Sequence, residues 1–568
     1  MKTINDEKTQ AAASDDNQPK NNPVATDTDK DAKSELTQII AADYALAAEM
    51  KRPAENDYAR SWSYCEVTKK FVPLAASFSS TRLFDIATEV SGGILFAKLG
   101  PEYLAANALM IPMQRFLVAT GSAYLFSMGT LLREQKGNPE EIGKIVQQGI
   151  LLSLLISIPS ITLASCSGPL LRGLGQSKEL AAIVEDFYLG ALPSIPCALT
   201  LYAWQQLTLG IERPSLSLAI SIINNLMLNG VGIILTLGLP GLLPLGARGF
   251  GYAYAISYGV TTVGAGVYFC CSKNFKHYKL TRFDDRQFAY LKDLNKLGFP
   301  LGLQVAADYL MRFGLIIMVG WLGSNALTAA RITEIAYIPL FTIIIRAPQV
   351  VSNMTKDAVK AKNKALIKQA ILVNIGTLTA LTSAWTVASL GLSKQLIDLF
   401  VDTANANNQQ LITDTNRLFW LYPIGLSAEI VRYGIAGSMK GLGNTKSSMW
   451  NSLGLLVIVG IALIFLAYFL GLGLPGLYRA ADLVLGLAAG SLTCQWSSSM
   501  RDLDVPGNTP AAPPGCFTRA YSAIKSWTPC FHASTSAQPA RLAQTAQIEE
   551  IHHNAHPEYQ RLENNPLG

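Results

Sequence analysis

Residues 299–323 read FPLGLQVAADYLMRFGLIIMVGWLG. The run is apolar and long enough to cross a bilayer, which takes about 20 residues of helix. Yet it carries Asp308 and, one turn later, Arg312. Each charge costs about 2.5–3.5 kcal/mol at the centre of a membrane helix, whereas each Leu, Ile, Val or Phe returns only about 0.3–0.6 kcal/mol. The apolar residues of the segment roughly offset its two charges and leave little surplus for facing lipid. Asp308 is therefore expected to face a protein interior, where an ionisable residue is a functional candidate by default.

The rest of the chain repeats the pattern. Half of its 568 residues are hydrophobic and 15% are charged, against about 25% in an ordinary soluble domain. Mean hydropathy is +0.26. The charges crowd toward the two ends, while residues 71–500 alternate apolar runs with short polar loops. Twelve membrane helices are predicted, over 71–97, 103–132, 142–166, 183–208, 214–237, 247–271, 293–321, 326–352, 364–391, 411–438, 447–471 and 475–498. The fold class is thus an all-α polytopic membrane protein, and one large soluble core is excluded.

The start, MKTINDEKTQ, has no apolar core, so no secretory signal peptide is expected. Residues 1–67 are rich in Asp, Lys, Asn and Gln and read as a disordered cytoplasmic segment; residues 499–568, with VPGNTPAAPPGC, read as a disordered cytoplasmic tail. Basic residues gather in alternate loops such as CCSKNFKHYKLTRFDDRQF and NMTKDAVKAKNKALIK. The positive-inside rule then puts both termini in the cytoplasm, in a cytoplasmic or plasma membrane. The net charge of +6 comes from those loops and predicts no nucleic-acid partner. The eight cysteines show no CxxC spacing, and His277, His532, His552, His553 and His556 all fall in loops or tail, so neither a metal site nor a cofactor is expected. With no HExxH and no GxSxG, an enzyme is not expected either.

The long basic linker at 272–292 divides the chain into an N-lobe, 68–271, and a C-lobe, 293–498. ILFAKLGPEYLAANAL (94–109) aligns with IMVGWLGSNALTAARI (317–332) at an offset of 223 positions. Two similar six-helix halves point to a transporter of parallel repeats, with its site between or inside the lobes.

Further segments fall in order along the helices: LLRGLGQSKEL (170–180), LTLGIERPSLSLAISIINNLMLNGVGIIL (207–235), LNKLGFPLGLQ (294–304) and GSMKGLGNTKSSMW (437–450). Over roughly residues 68–498 the chain resembles the multidrug and toxic compound extrusion (MATE) transporters. The resemblance implies a two-lobed, twelve-helix antiporter that exports a small organic solute, usually an amphiphilic cation, in exchange for H+ or Na+. By its own chemistry the G…G.G turn needs only glycine's freedom, at Gly441 and Gly443. The family usually has Asp where this chain has Asn444.

The resemblance also implies a pair of acids in the second lobe, and counting from the motifs lands on Asp308 and Glu429. Arg312 stands four residues after Asp308 and Arg432 three after Glu429, each on the same helix face as its acid. Two readings follow: local ion pairs that make the charges tolerable, or carboxylates that hold the coupling cation. In the first lobe Glu89, Asn225 and Asn229 could form a polar cage, or the asparagines serve only as interhelical bonds. The repeat aligns Asp85 with Asp308 and Glu89 with Arg312, which predicts an exchangeable cation in the first lobe and a fixed one in the second. The competing reading leaves Asp85 as an exposed helix-end charge. Tyr309, Trp204 and Trp420 are the candidate substrate-chamber residues.

The expected partners are a small molecule and the lipid bilayer, with the chain a monomer. Two rivals remain. Arg115, Arg312, Arg331, Arg346 and Arg432 suit a lipid-linked oligosaccharide flippase of related architecture. The altered first-lobe motif and the long tails suit a membrane scaffold that no longer transports.

Overall fold

The computed structural model describes residues 62–80, 83–135, 137–211, 213–238, 243–280 and 290–503. Most of both expected terminal segments, and 281–289 of the linker, lie outside these residues. Among the described residues the elements are helices: α1 (Tyr64–Ser80), α2 (Leu83–Leu99), α3 (Pro101–Glu134), α4 (Pro139–Ser165), α5 (Ser167–Gly173), α6 (Lys178–Ala191), α7 (Ser194–Gly210), α8 (Pro214–Leu237) and α9 (Gly246–Cys271). After the linker come α10 (Leu291–Gly320), α11 (Ser324–Lys360), α12 (Lys364–Gly391), α13 (Ser393–Asp398), α14 (Gln409–Gly441), α15 (Thr445–Phe469) and α16 (Gly473–Asp502). Counting α1–α2 and α6–α7 as one span each and omitting the short α5 and α13, these give twelve spans.

Two predicted spans are interrupted. The span expected at 183–208 bends by 55° between α6 and α7, where Pro193 supplies no backbone N–H and crowds the preceding turn. The one expected at 71–97 is two helices, and the first begins earlier, at Tyr64. A reciprocal capping box causes that start: the Glu66 amide donates to Ser63 Oγ at 3.3 Å and the Ser63 amide donates to Glu66 Oε2 at 2.8 Å. Residues 64–67, expected to be disordered, are therefore helical.

The two parts of this first span also separate in their packing. Val67, Phe71 and Ala75 of α1 are buried against Tyr337 and Phe341 of α11, Ile371 of α12 and Leu426 of α14. α2 packs instead on α3 and α8, in the half to which its sequence belongs.

The repeat is visible in the backbone. Gly100 joins α2 to α3 with φ 133° and ψ 166°, and Gly323 joins α10 to α11 with φ 109° and ψ 172°. Both turns thus need glycine, and they stand 223 positions apart in sequence. α10 also lies close along α3: a Cβ on Gly298 would come within 2.5 Å of the Tyr124 carbonyl oxygen. One hydrophobic core joins the halves, with Leu109, Tyr188 and Phe250 on one side and Met318, Leu327 and Tyr478 on the other.

Exposed Leu154, Leu155 and Ile158 on α4, Ile223 and Leu226 on α8, and Val263 and Val267 on α9 form apolar faces suited to lipid. The first part of the linker is docked rather than free: Phe275 is buried against Phe269, with the Arg213 guanidinium 5.7 Å above its ring. Its far end is tied too, since the Tyr290 hydroxyl donates to Glu141 at 2.7 Å.

Candidate coupling and substrate sites

Asp308 of α10 is 7% exposed, and Glu429 and Arg432 of α14 are 2% exposed. The interior placement predicted for Asp308 follows from its cost in lipid. The local ion pairs do not. Arg312 bonds across to Glu429 Oε1, and Arg432 donates across to Asp308 Oδ1 at 3.0 Å. Arg432 reaches its own neighbour Glu429 only at 3.8 Å. Both acids and both guanidiniums line one pocket, where each guanidinium meets the carboxylate of the opposite helix. Aromatic faces take up the guanidinium planes: Arg312 lies 4.4 Å from the Phe341 ring centre and Arg432 lies 4.3 Å from that of Tyr433. The Tyr433 hydroxyl donates to Asp308 Oδ2 at 3.4 Å.

This cluster lines a small cavity of ≈ 50 Å³ inside the second half, bounded by α10, α14, α15 and α16. Leu456, on a π-helical stretch of α15 (Ser452–Val459), forms part of its wall. Such widened turns let a helix bulge around a site.

The first half holds a different kind of cluster. Asn225 of α8 donates to Asp85 Oδ1 at 2.9 Å and accepts from Thr88 at 2.8 Å. Asn229 donates to Thr88 Oγ1 at 2.8 Å and accepts from Ser91. The polar cage between α2 and α8 therefore exists, but with Asp85, Thr88 and Ser91 in it. Asp85 is a member of that ladder and more than a helix-end charge. Glu89 has turned away: it is bonded to Arg115 of α3. Arg115 also holds Glu334 of α11 at 2.6 Å, Glu334 holds Arg331 at 2.7 Å, and Arg331 Nε donates to Asn107 of α3 at 2.7 Å. Glu89, Arg115, Glu334, Arg331 and Asn107 thus form one chain of bonds across the two halves.

Of the chamber candidates, only Tyr309 lies near this centre, within electrostatic reach of Arg115, Arg312 and Glu89. Trp204 is buried in the first half's own core, stacked on Phe269 at 5.2 Å between ring centres. Trp420 is 67% exposed on α14. Neither tryptophan lines the cavity. In the glycine turn only Gly443 has a positive φ, at 79°. Gly441 is there for close packing, since a Cβ would meet Thr355 of α11 at 2.5 Å. Asn444 accepts a hydrogen bond from the Ser447 amide and so caps α15.

Sequence reading overlooked Glu334 and Asp482. Both carry the signal that singles out Asp308, a lone acid inside an apolar run: ARITEIAYIPL for Glu334 and LYRAADLVLGL for Asp482.

The family model MatE matches residues 87–235. The chain is 23% identical over 427 residues to the probable multidrug resistance protein NorM of Synechococcus sp., a match covering 74% of this chain and 92% of that protein. It is likewise 23% identical to the multidrug resistance protein NorM of Vibrio cholerae, over 65% of this chain and 79% of the relative. An inward-facing multidrug resistance MATE family transporter superposes with a TM-score of 0.64 at 18% identity, covering 75% of this chain and 96% of that one. A MOP superfamily transporter from Pyrococcus furiosus, described by the reverse polarity of its binding pocket, superposes at 0.61 and 18% identity, over 80% of this chain and 100% of that one. Fold, matched segment and relatives agree: the chain has the fold of MATE family transporters, is similar to the NorM proteins over most of its length, and is a multi-pass membrane protein.

Proposed function

We propose that the protein is a secondary active antiporter that exports a small amphiphilic organic cation in exchange for H+ or Na+. The observation that carries this reading is the buried charged cluster of Asp308, Arg312, Glu429 and Arg432 around a cavity in one half. Two buried ion pairs contribute little net stability beside an apolar core of the same volume, so a cluster of this kind inside a membrane points to a role in function. Each carboxylate can exchange its guanidinium for a mobile cation if α10 and α14 shift, which links ion binding to movement of the lobe. The chain from Glu89 to Asn107 crosses between the halves, so any rocking of one half on the other must break or stretch it.

The names of the relatives support a drug-like substrate. Arg115, Arg312, Arg331 and Arg432 each hold a carboxylate. That pairing leaves these arginines less able to bind an anionic lipid-linked sugar, which weakens the flippase reading. Orientation with both termini in the cytoplasm rests on the basic loops alone.

The test is ethidium efflux from inverted membrane vesicles under an imposed proton gradient and then a sodium gradient. Gradient-driven efflux that Asp308→Asn abolishes is expected. Absence of efflux under both gradients sinks the antiport reading and favours a flippase or a scaffold.

A further inference from the structure

Asp482 lines the same cavity from α16, the last span. Its Oδ2 is buried without a hydrogen-bond partner, and no ion pair reaches it among the described residues. Glu429, 2% exposed, likewise has one free oxygen, Oε2, in that cavity. The other carboxylate oxygens are engaged: Asp308 with Arg432 and Tyr433, and Glu429 Oε1 with Arg312.

The backbone is shaped to admit Asp482. Gly425 of α14 stands one turn from Glu429 on the same face, and a Cβ there would lie 2.3 Å from Asp482 Oδ1. Glycine thus leaves the room in which the carboxylate approaches Glu429. Around it Met311, Leu315, Leu456 and Leu485 make the wall apolar. The titratable and charged groups facing it are Asp308 and Arg312 from α10, Tyr422, Glu429 and Arg432 from α14, and Tyr478 beside it on α16; α15 contributes only Leu456. A carboxylate buried without a fixed counter-ion must be neutralised by a mobile one.

We propose that Asp482 is the carboxylate through which the second half takes up the driving ion, as a proton, with Glu429 Oε2 as its neighbour. The assignment rests on the antiport reading above and gives the coupling role to a residue on the last span. A proton fits better than sodium. Na+ would need several oxygen ligands beside two guanidiniums that repel it, whereas a proton needs one carboxylate oxygen. Uptake forms one O–H bond on Asp482, and release returns that proton to water on the other side of the membrane.

The experiment is an infrared difference titration of the full chain in lipid nanodiscs, from alkaline to acid pH, paired with ethidium efflux. Wild type is expected to gain a protonated-carboxyl band that Asp482→Asn removes and Asp482→Glu retains at a shifted frequency. Gly425→Ala, which leaves the carboxylate present but displaced, is expected to shift the midpoint of that band. Proton-driven ethidium efflux is lost in Asp482→Asn. If Asp482→Asn fails to fold, the two other variants decide, and an unchanged band in both overturns the proposal. A band that survives in a folded Asp482→Asn also overturns it, as does a wild type with no band. Suppression of the band by NaCl, but not by choline chloride, overturns the proton in favour of Na+. Ethidium efflux without an Asp482 band leaves antiport standing and refutes this assignment; the band without efflux refutes antiport and leaves the proton site.

Discussion

The two halves of this molecule share the turn after their first span and bury opposite chemistry, on helix pairs that do not correspond. Between α2 and α8 the polar groups form a ladder of mostly neutral bonds, Asp85–Asn225–Thr88–Asn229–Ser91. Between α10 and α14 the groups are charged and cross-paired, Asp308 with Arg432 and Glu429 with Arg312. Position 89 in one half aligns with position 312 in the other, so a glutamate corresponds to an arginine. The repeat fixes where polar groups can be buried and leaves their charge free to differ. The two arrangements respond differently to loss of a member, because a neutral group left alone costs far less than an ion left alone.

The largest effect is expected at Arg432. Arg432→Leu strands Asp308 in the interior, and thermal unfolding in detergent should show a loss of about 3–5 kcal/mol. Adding Asp308→Leu should restore most of it; a double variant no more stable than the single one would mean that the pair is not what the residues contribute. Arg115→Met comes next. It strands Glu89, which keeps some exposure at 26%, and leaves Glu334 with Arg331 alone, so water and the remaining partner soften the penalty to about 1–3 kcal/mol. The same variant should alter the rate of ethidium efflux, because its bonds cross the two halves.

Asn225→Ala should cost less, about 0.6 kcal/mol and no more than about 1.7 kcal/mol, the range of interhelical hydrogen bonds in membranes. A loss as large as that of Arg432→Leu would erase the distinction between the halves. Trp420→Ala is expected to change stability by less than about 0.5 kcal/mol, since the side chain is largely exposed. It should leave ethidium efflux unaltered in the same vesicles.

Much of the architecture is legible in the amino-acid order. Apolar period and length locate the spans, and the two LG turns, at Gly100 and Gly323, align in sequence just as their backbone angles match in space. Hydrophobicity and turn chemistry are properties of neighbouring residues, so sequence carries them. The interior position of Asp308 follows in the same way, from the cost of a charge in lipid. The break at 183–208 is equally readable in ALPSIP, and the early start of α1 in SYCE, where a serine and a glutamate cap each other.

Partners are not legible. Arg115 and Glu334 are 219 positions apart, and Arg312 and Glu429 are 117 apart. A helix face tells which residues point inward together, but a guanidinium on a long stem chooses among every carboxylate that packing brings within reach. That choice takes Arg312 from Asp308 and Glu89 from the asparagines, and leaves Asp482 with none. Trp204 and Trp420 divide on the same ground: both are large aromatics on helix faces, and only the arrangement of neighbouring helices makes one a core residue and leaves the other exposed. The sequence by itself determined which segments cross the membrane and which charges must be hidden there. The tertiary structure decided which of those charges meet, because that depends on distances between helices that no local pattern encodes.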